Sequence, residues 1–211
     1  MYIPEEQLEA LAARYGAPRL VRLQVEISPD ELAMVHASRK HGRRHDFTVF
    51  ALDGDRVVVI RKRFHPPGVY RAPSGGVKPG EAIEAGILRE IWEETGLQVA
   101  LDRYLLRLGV RFTCGTELED WISHVLSAHV VDGKLGPVDV EEIQEARYVT
   151  LEELQGPIRK ALLDSGRGLL RYRLTLTDLT VDLMSSPRAS EADMGAPGKT
   201  IDSLPSEVKQ L

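Results

Sequence analysis

The chain has 211 residues, enough for one ordinary domain with extensions or for two small domains. Hydrophobic residues make up 43% and charged residues 28%, a globular composition that excludes a disordered or fibrous chain. The formal net charge of -5 gives no general attraction for nucleic acid or anionic lipid, so an anionic ligand must be caught by a local device such as a metal ion or a few placed Arg and Lys residues. A single cysteine, Cys114, leaves no intrachain disulfide and reads as a small buried hydrophobe. The first residues lack the basic and apolar regions of a signal peptide, and nowhere is there a run of about 18 apolar residues. No membrane span is expected, and the cytoplasm is the simplest location.

In chain order, residues 4–15 have helical spacing, with Leu8, Leu11 and Ala12 on one face and Gly16 and Pro18 as the stop. A strand over 20–27 follows. Ser28-Pro29-Asp30 then opens a second helix reaching about Ser38. The basic run 36–45 reads as a solvated turn. Residues 47–54 form a strand ending in an Asp-Gly turn, and 56–64 a second strand, apolar without strict alternation as in a sheet interior. The segment 65–76 is a loop. It leads into a helix from Glu81 to Thr95, stopped by Gly96. Strands are expected over 101–112 and 121–131, then a loop, a short strand at 146–149 and a helix start at Thr150 with the capping box Thr150-x-x-Glu153. Residues 157–185 suggest a helix and a strand, RLTLTDLTVDL, and the Pro-, Gly- and Ser-rich stretch 186–211 a flexible tail. The expected organisation is an extension (1–44), a main domain (45–155), a packed helix and strand (156–185) and the tail.

The helix 81–95 carries the chemistry. It holds Glu81, Glu84, Glu90, Glu93 and Glu94 against the single Arg89. Glu90, Glu93 and Glu94 stand at i, i+3 and i+4 and so share a face. Like charges at that spacing destabilise a helix by roughly 0.2–0.5 kcal/mol per pair, and the C-terminal half of the helix dipole disfavours anions further. The acids make sense if something positive occupies the face. A hard divalent cation such as Mg²⁺ or Mn²⁺ prefers carboxylate oxygens and joins them to phosphates. Gly86 on the same side implies a close approach, since Gly costs about 1 kcal/mol against Ala within a helix. Ile87, Leu88 and Ile91 are expected to face the core, with Trp92 packed near it. Arg89, four residues before Glu93, can brace that carboxylate. Upstream, Ser74-Gly75-Gly76 and Pro79-Gly80 make a tight loop able to bring backbone to the same place.

These residues carry a resemblance. Gly75, Glu81, Arg89-Glu90-Ile91, Glu93-Glu94 and Gly96-Leu97 fill every consensus position of the box of Nudix hydrolases, over the 23 residues from Gly75 to Leu97. The surrounding order of strands and helices is similar over roughly 45–155. The resemblance implies an α/β/α sandwich with a mixed β-sheet and metal-dependent cleavage of a phosphoanhydride bond. The substrate would be a nucleoside diphosphate linked to another moiety: ADP-ribose-like or sugar-linked first, dinucleoside polyphosphates or nucleoside triphosphates next. It implies Mg²⁺ or Mn²⁺ held by Glu90, Glu93, Glu94 and the backbone carbonyl of Ser74, with Glu81 supporting the site and Arg89 orienting the carboxylates. The general base comes from the box or from a later loop, where Glu142 is favoured over Glu141. Arg61, Arg63 and Tyr70 are the candidate substrate contacts, alongside Lys62 and Phe64. No nucleic-acid or membrane partner is expected, and the N-terminal extension admits a homodimer. A non-catalytic nucleotide sensor and a prenyl diphosphate isomerase using Cys114 are the competing readings.

Overall fold

The computed structural model describes residues 3–39 and 42–185, so the tail expected over 186–211, and Lys40 and His41 of the basic run, lie outside the described residues. The elements are α1 (Glu5–Tyr15), β1 (Arg19–Glu26), α2 (Pro29–Ser38), β2 (His45–Asp53), β3 (Arg56–Lys62), β4 (Ser74–Gly75), α3 (Ile83–Thr95), β5 (Leu97–Cys114), β6 (Glu117–Gly133), β7 (Ile143–Thr150), α4 (Leu151–Glu153), α5 (Arg159–Asp164) and α6 (Gly168–Ser185). One sheet organises them, in the order β1-β5-β6-β2-β3-β7, with β4 added to β2. The β1–β5 and β2–β6 pairs are parallel and the others antiparallel, so the sheet is mixed.

Both faces are covered, as the expected sandwich requires. On one face Leu8 and Leu11 of α1 and Ile87 and Ile91 of α3 pack on Phe47, Val49 and Val58. On the other, Leu32 and Val35 of α2 and Leu174 and Leu179 of α6 pack on Phe50, Val57 and Val59. Alternate strand residues point to opposite faces, which sends Val58 to one core and its neighbours to the other. That is why residues 57–60 are apolar without alternation: all are fully buried, because the strand is interior. The N-terminal segment belongs to this body, since β1 extends the sheet and α1 and α2 cover opposite faces.

Three sequence expectations change. The strands expected over 101–112 and 121–131 are longer, forming an 18- and a 17-residue hairpin joined by Gly115-Thr116, with Gly115 at φ 58° as such a two-residue turn requires. RLTLTDLTVDL is helix, not strand. Alternation of Leu and Thr imitates a period of two, but α6 is buried over most of its girth. Its threonines fit a helix because Thr175, Thr177 and Thr180 donate to the carbonyls of Arg171, Arg173 and Leu176, four residues back, at 3.1, 2.9 and 2.7 Å. On α3, Leu88 and Trp92 are solvent-facing, 39% and 46% exposed, rather than core residues; the core stripe is Ile83, Ile87 and Ile91. Between α4 and α5 the helix loosens into a π turn, Leu154–Ile158, around Pro157, which has no N–H to donate.

Candidate active site

The loop before α3 and the helix fit because of three glycines. Gly80 takes φ 79° in the Pro79-Gly80 turn, and the helix begins only at Ile83, so Glu81 sits in the turn rather than on the helix. A Cβ on Gly86 would lie 2.8 Å from Glu81 Oε2 and 2.9 Å from Val77 Cγ2, so the close approach that Gly86 implied is that of the loop itself. Gly96 ends α3 in the left-handed region at φ 71°. Arg89 ties these parts together. Its Nε and Nη2 donate to the two oxygens of Glu81, its Nη1 to Glu90 and to Glu93, all at 2.9 Å, and Nη2 also donates to the Gly76 carbonyl at 3.0 Å. The guanidinium fork lowers Glu81 to a pKa of about 2 and raises that of Arg89.

Glu94 stands apart from this fork. It is 5% exposed and accepts from the Ser74 backbone N–H at 2.7 Å. Arg71 lies 3.8 Å and Lys62 3.9 Å from its Oε1. Burial raises the Glu94 carboxyl above its ordinary value, against the pull of these two cations. Burial, followed by repulsion from Arg71, lowers the Lys62 amine to about 8. Arg71 is held in turn by the Ala72 carbonyl at 2.9 Å and the Ser74 hydroxyl at 2.7 Å.

A loop brings Glu142 to the same place. The Val138 and Asp139 amides donate to the Glu93 carbonyl at 3.0 and 2.8 Å, anchoring the loop to the end of α3. The Glu141 and Glu142 amides donate to Asp139 Oδ1, both at 3.1 Å. The Glu142 carboxylate forms an ion pair with the Lys62 ammonium.

The structure therefore gathers Arg89, Glu90, Glu93, Glu94, Ser74 and Glu142 around one end of α3. Arg63 joins the rim, its Nε donating to the Val140 carbonyl at 2.8 Å. Arg61 and Tyr70 are placed elsewhere: both donate to Glu145, at 3.2 and 2.8 Å, and the Arg147 guanidinium lies 4.4 Å from the centre of the Tyr70 ring. Strand alternation separated Lys62 from Arg61 and Arg63, and it is Lys62 that meets the box carboxylates. Sequence reasoning passed over Arg71 and the Asp46–Arg173 pair (2.8 Å), since nothing local links positions 46, 71 and 173. As they stand, the carboxylates are occupied by Arg89, Lys62, Arg71 and a backbone amide, and among the described residues no group of three His, Cys, Asp or Glu converges on one point. The donors present, three carboxylates beside a loop backbone, are nonetheless of the kind a hard divalent ion takes.

Residues 42–169 match the NUDIX domain family. The NAD-capped RNA hydrolase NudC of Stutzerimonas stutzeri is 30% identical over 115 residues, 54% of this chain and 39% of that protein. NudC of Photobacterium profundum is 28% identical over 124 residues, 56% of this chain and 43% of its own length. The matched stretch is thus under half the length of these curated relatives. Among solved structures, the MutT NUDIX hydrolase from Burkholderia pseudomallei is 25% identical, with a TM-score of 0.45, covering 63% of this chain and 95% of that one. With the family match extending over more than half its length, and with a mixed α/β sandwich carrying the box on its loop and helix, this chain belongs to the NUDIX family.

Proposed function

We propose that the chain is a metal-dependent pyrophosphohydrolase that cleaves a phosphoanhydride bond in a nucleoside diphosphate linked to another moiety. One observation carries this reading: Glu94, buried beside the Ser74 backbone, faces Lys62 and Arg71, so an acid for an ion and cations for phosphate stand side by side. Glu90, Glu93, Glu94 and the Ser74 carbonyl would hold Mg²⁺ or Mn²⁺. When bound, such an ion supplies charge neutralisation of the diphosphate and a more acidic water. The chain's own part is positioning and proton handling. Arg89 fixes Glu90 and Glu93 relative to the loop through Glu81. Glu142 takes the proton of the attacking water once Lys62 has turned from it to a phosphate oxygen. Arg63 lies at the rim, within reach of the same phosphates, whereas Arg61 and Tyr70 serve only a substrate long enough to reach Glu145 and Arg147.

ADP-ribose-like and sugar-linked nucleoside diphosphates come first as substrates, then dinucleoside polyphosphates and nucleoside triphosphates. The NudC relatives act on NAD-capped RNA, whose cap holds a diphosphate between two nucleosides, so NAD and a capped oligonucleotide belong in the same series. The test is a panel of these compounds with Mg²⁺ or Mn²⁺, followed by mononucleotide release. Glu94→Gln is expected to lose at least about a hundredfold in kcat. Full activity in that variant overturns the site, and no turnover with either ion makes the chain a nucleotide-binding module instead.

A further inference from the structure

Next to Glu94, on the sheet face covered by α2 and α6, lies a cavity of about 160 Å³. Lys62 and Arg71 line it and also face the Glu94 carboxylate, so cavity and acidic site share a wall. Arg167 and Arg173 line it as well, and none of its described lining residues is acidic. Arg173 is held by Asp46 at 2.8 Å and Arg167 lies 3.6 Å from Glu31, whereas Lys62 and Arg71 stand 3.9 and 3.8 Å from the Glu94 carboxylate they share, so these two are the cations that link the cavity to the acidic site. Apart from Ser38, the rest of the lining is apolar or aromatic, with Met34 and Val35 from α2, Leu169 from α6, and Trp121. Phe64 stands at the lip, 54% exposed, its ring edge-on to His65 at 5.0 Å. The ring stands between a cationic wall and an apolar recess, where a flat heterocycle would stack on it. The volume matches: at ~10–15 Å³ per water-sized group, the cavity takes on the order of ten such groups, the scale of a nucleobase.

The geometry points to this cavity as the receptacle for the nucleoside 5′-phosphate half of the substrate, with its phosphate on Lys62 and Arg71 and its base against Phe64 and the apolar wall. The inference rests on the pyrophosphohydrolase reading above and adds where selectivity lies. The wall combines residues inside the stretch that matches the family, Phe64 and Trp121, with Met34 and Val35 of α2, which lies outside it.

The chain has two tryptophans, and the exposed Trp92 can be replaced, leaving Trp121 as the reporter. In the full-length Trp92→Phe protein with EDTA, adenosine, guanosine, cytidine and uridine 5′-monophosphates are titrated against Trp121 emission, beside adenosine and inorganic phosphate. At least one monophosphate is expected to give saturable binding, with the nucleoside and phosphate alone at least about tenfold weaker. Phe64→Ala, at an exposed position, should weaken binding roughly five- to a hundredfold, the range for loss of one base-stacking ring, and Phe64→Tyr should restore it. Met34→Glu, which places an acid in the recess, should weaken it further. On any substrate turned over, both damaging variants should raise KM at least fivefold with kcat within twofold. Saturable binding to none of the monophosphates, inorganic phosphate binding as tightly as they do, or KM unmoved by both variants overturns the assignment. If the monophosphates bind as expected but no compound is hydrolysed, the cavity stands and the hydrolase reading fails.

Discussion

Gly75 fills a consensus position of an acidic box without contributing a charge, and the reason is steric. A Cβ there would stand 2.0 Å from Glu90 Oε2 and 2.1 Å from its Cδ, closer than any real contact. The backbone does not forbid alanine, because Gly75 is absent from the positive-φ glycines. A Gly75→Ala chain should therefore fold and push the Glu90 carboxylate off Arg89 and away from the site. We expect a thermal midpoint within a few degrees of the parent and a loss of roughly ten- to a hundredfold in divalent-ion affinity, measured by Mn²⁺ titration, the range for a disturbed ligand shell. Unchanged affinity would mean that Glu90 does not hold the ion. The acids, Arg89 and these glycines were legible in the sequence because box chemistry is local. Lys62 was legible only halfway: alternation set it on the face opposite Arg61 and Arg63, but which face met the carboxylates depended on where the sheet placed β3. Arg71 carried no signal at all, being a lone cation in a loop whose partner Glu94 is 23 positions away.

At the level of elements, most helix ends were readable from their caps. Ser28 starts α2, Gly96 stops α3, and Thr150 accepts from the Glu153 amide at 3.1 Å as the capping box predicts. The register of α6 was not, because a helix buried over most of its girth loses the stripe that announces a period of 3.6. What fixes its start is a carboxylate from another helix. Glu31 of α2 is 2% exposed and accepts from the Ser28 amide at 3.1 Å, and also from the Gly168 and Leu169 amides of α6 at 3.2 and 2.9 Å. A single side chain thus caps two helices, and a Cβ on Gly168 would lie 2.1 Å from the Glu26 carbonyl, so α6 can start there only with glycine. With caps typically contributing about 0.5–2 kcal/mol each, Glu31→Ala should cost on the order of 2–4 kcal/mol in urea unfolding. Because α2 and α6 wall the cavity, the variant should lose mononucleotide affinity as well, while Thr150→Ala, at a cap far from the cavity lining, should lower stability by about 1 kcal/mol and leave that affinity alone.

Across the whole molecule, the sheet divides two cores, and its interior polar groups set how stability depends on pH. On the α1 side a buried chain runs from Tyr104 to His124 to His45, with the two imidazoles stacked at 5.2 Å and His45 Nδ1 2.8 Å from His124 Nε2. His45 Nε2 has no hydrogen-bond partner. Glu5 and Arg107 from α1 and β5 and Asp46 from β2 are the charges that face this pair. Burial, with help from Arg107, lowers His45 to about 4, and burial with help from His45 lowers His124 to about 3. Both rings are neutral in the folded protein while the unfolded chain takes up protons below about 6.5. Stability is therefore fully present above that pH and is lost as pH falls towards 4 and 3, with a slope of up to about 1.4 kcal/mol per pH unit for each ring. The lowered carboxyls, Glu5, Asp46 and Glu81, lose their contribution in the same direction but only below their ordinary values near 4. Glu94, raised, works the opposite way and is common to any histidine variant. Between pH 7 and 5 the urea midpoint of the parent chain should fall steeply, and that of His124→Phe should fall less, because one proton uptake has been removed and the second histidine no longer meets another ring nitrogen. Parallel profiles for the two proteins would mean that this stacked pair is not what titrates, and would move the source of the fall to His65, which burial, with help from Arg71, lowers to about 3.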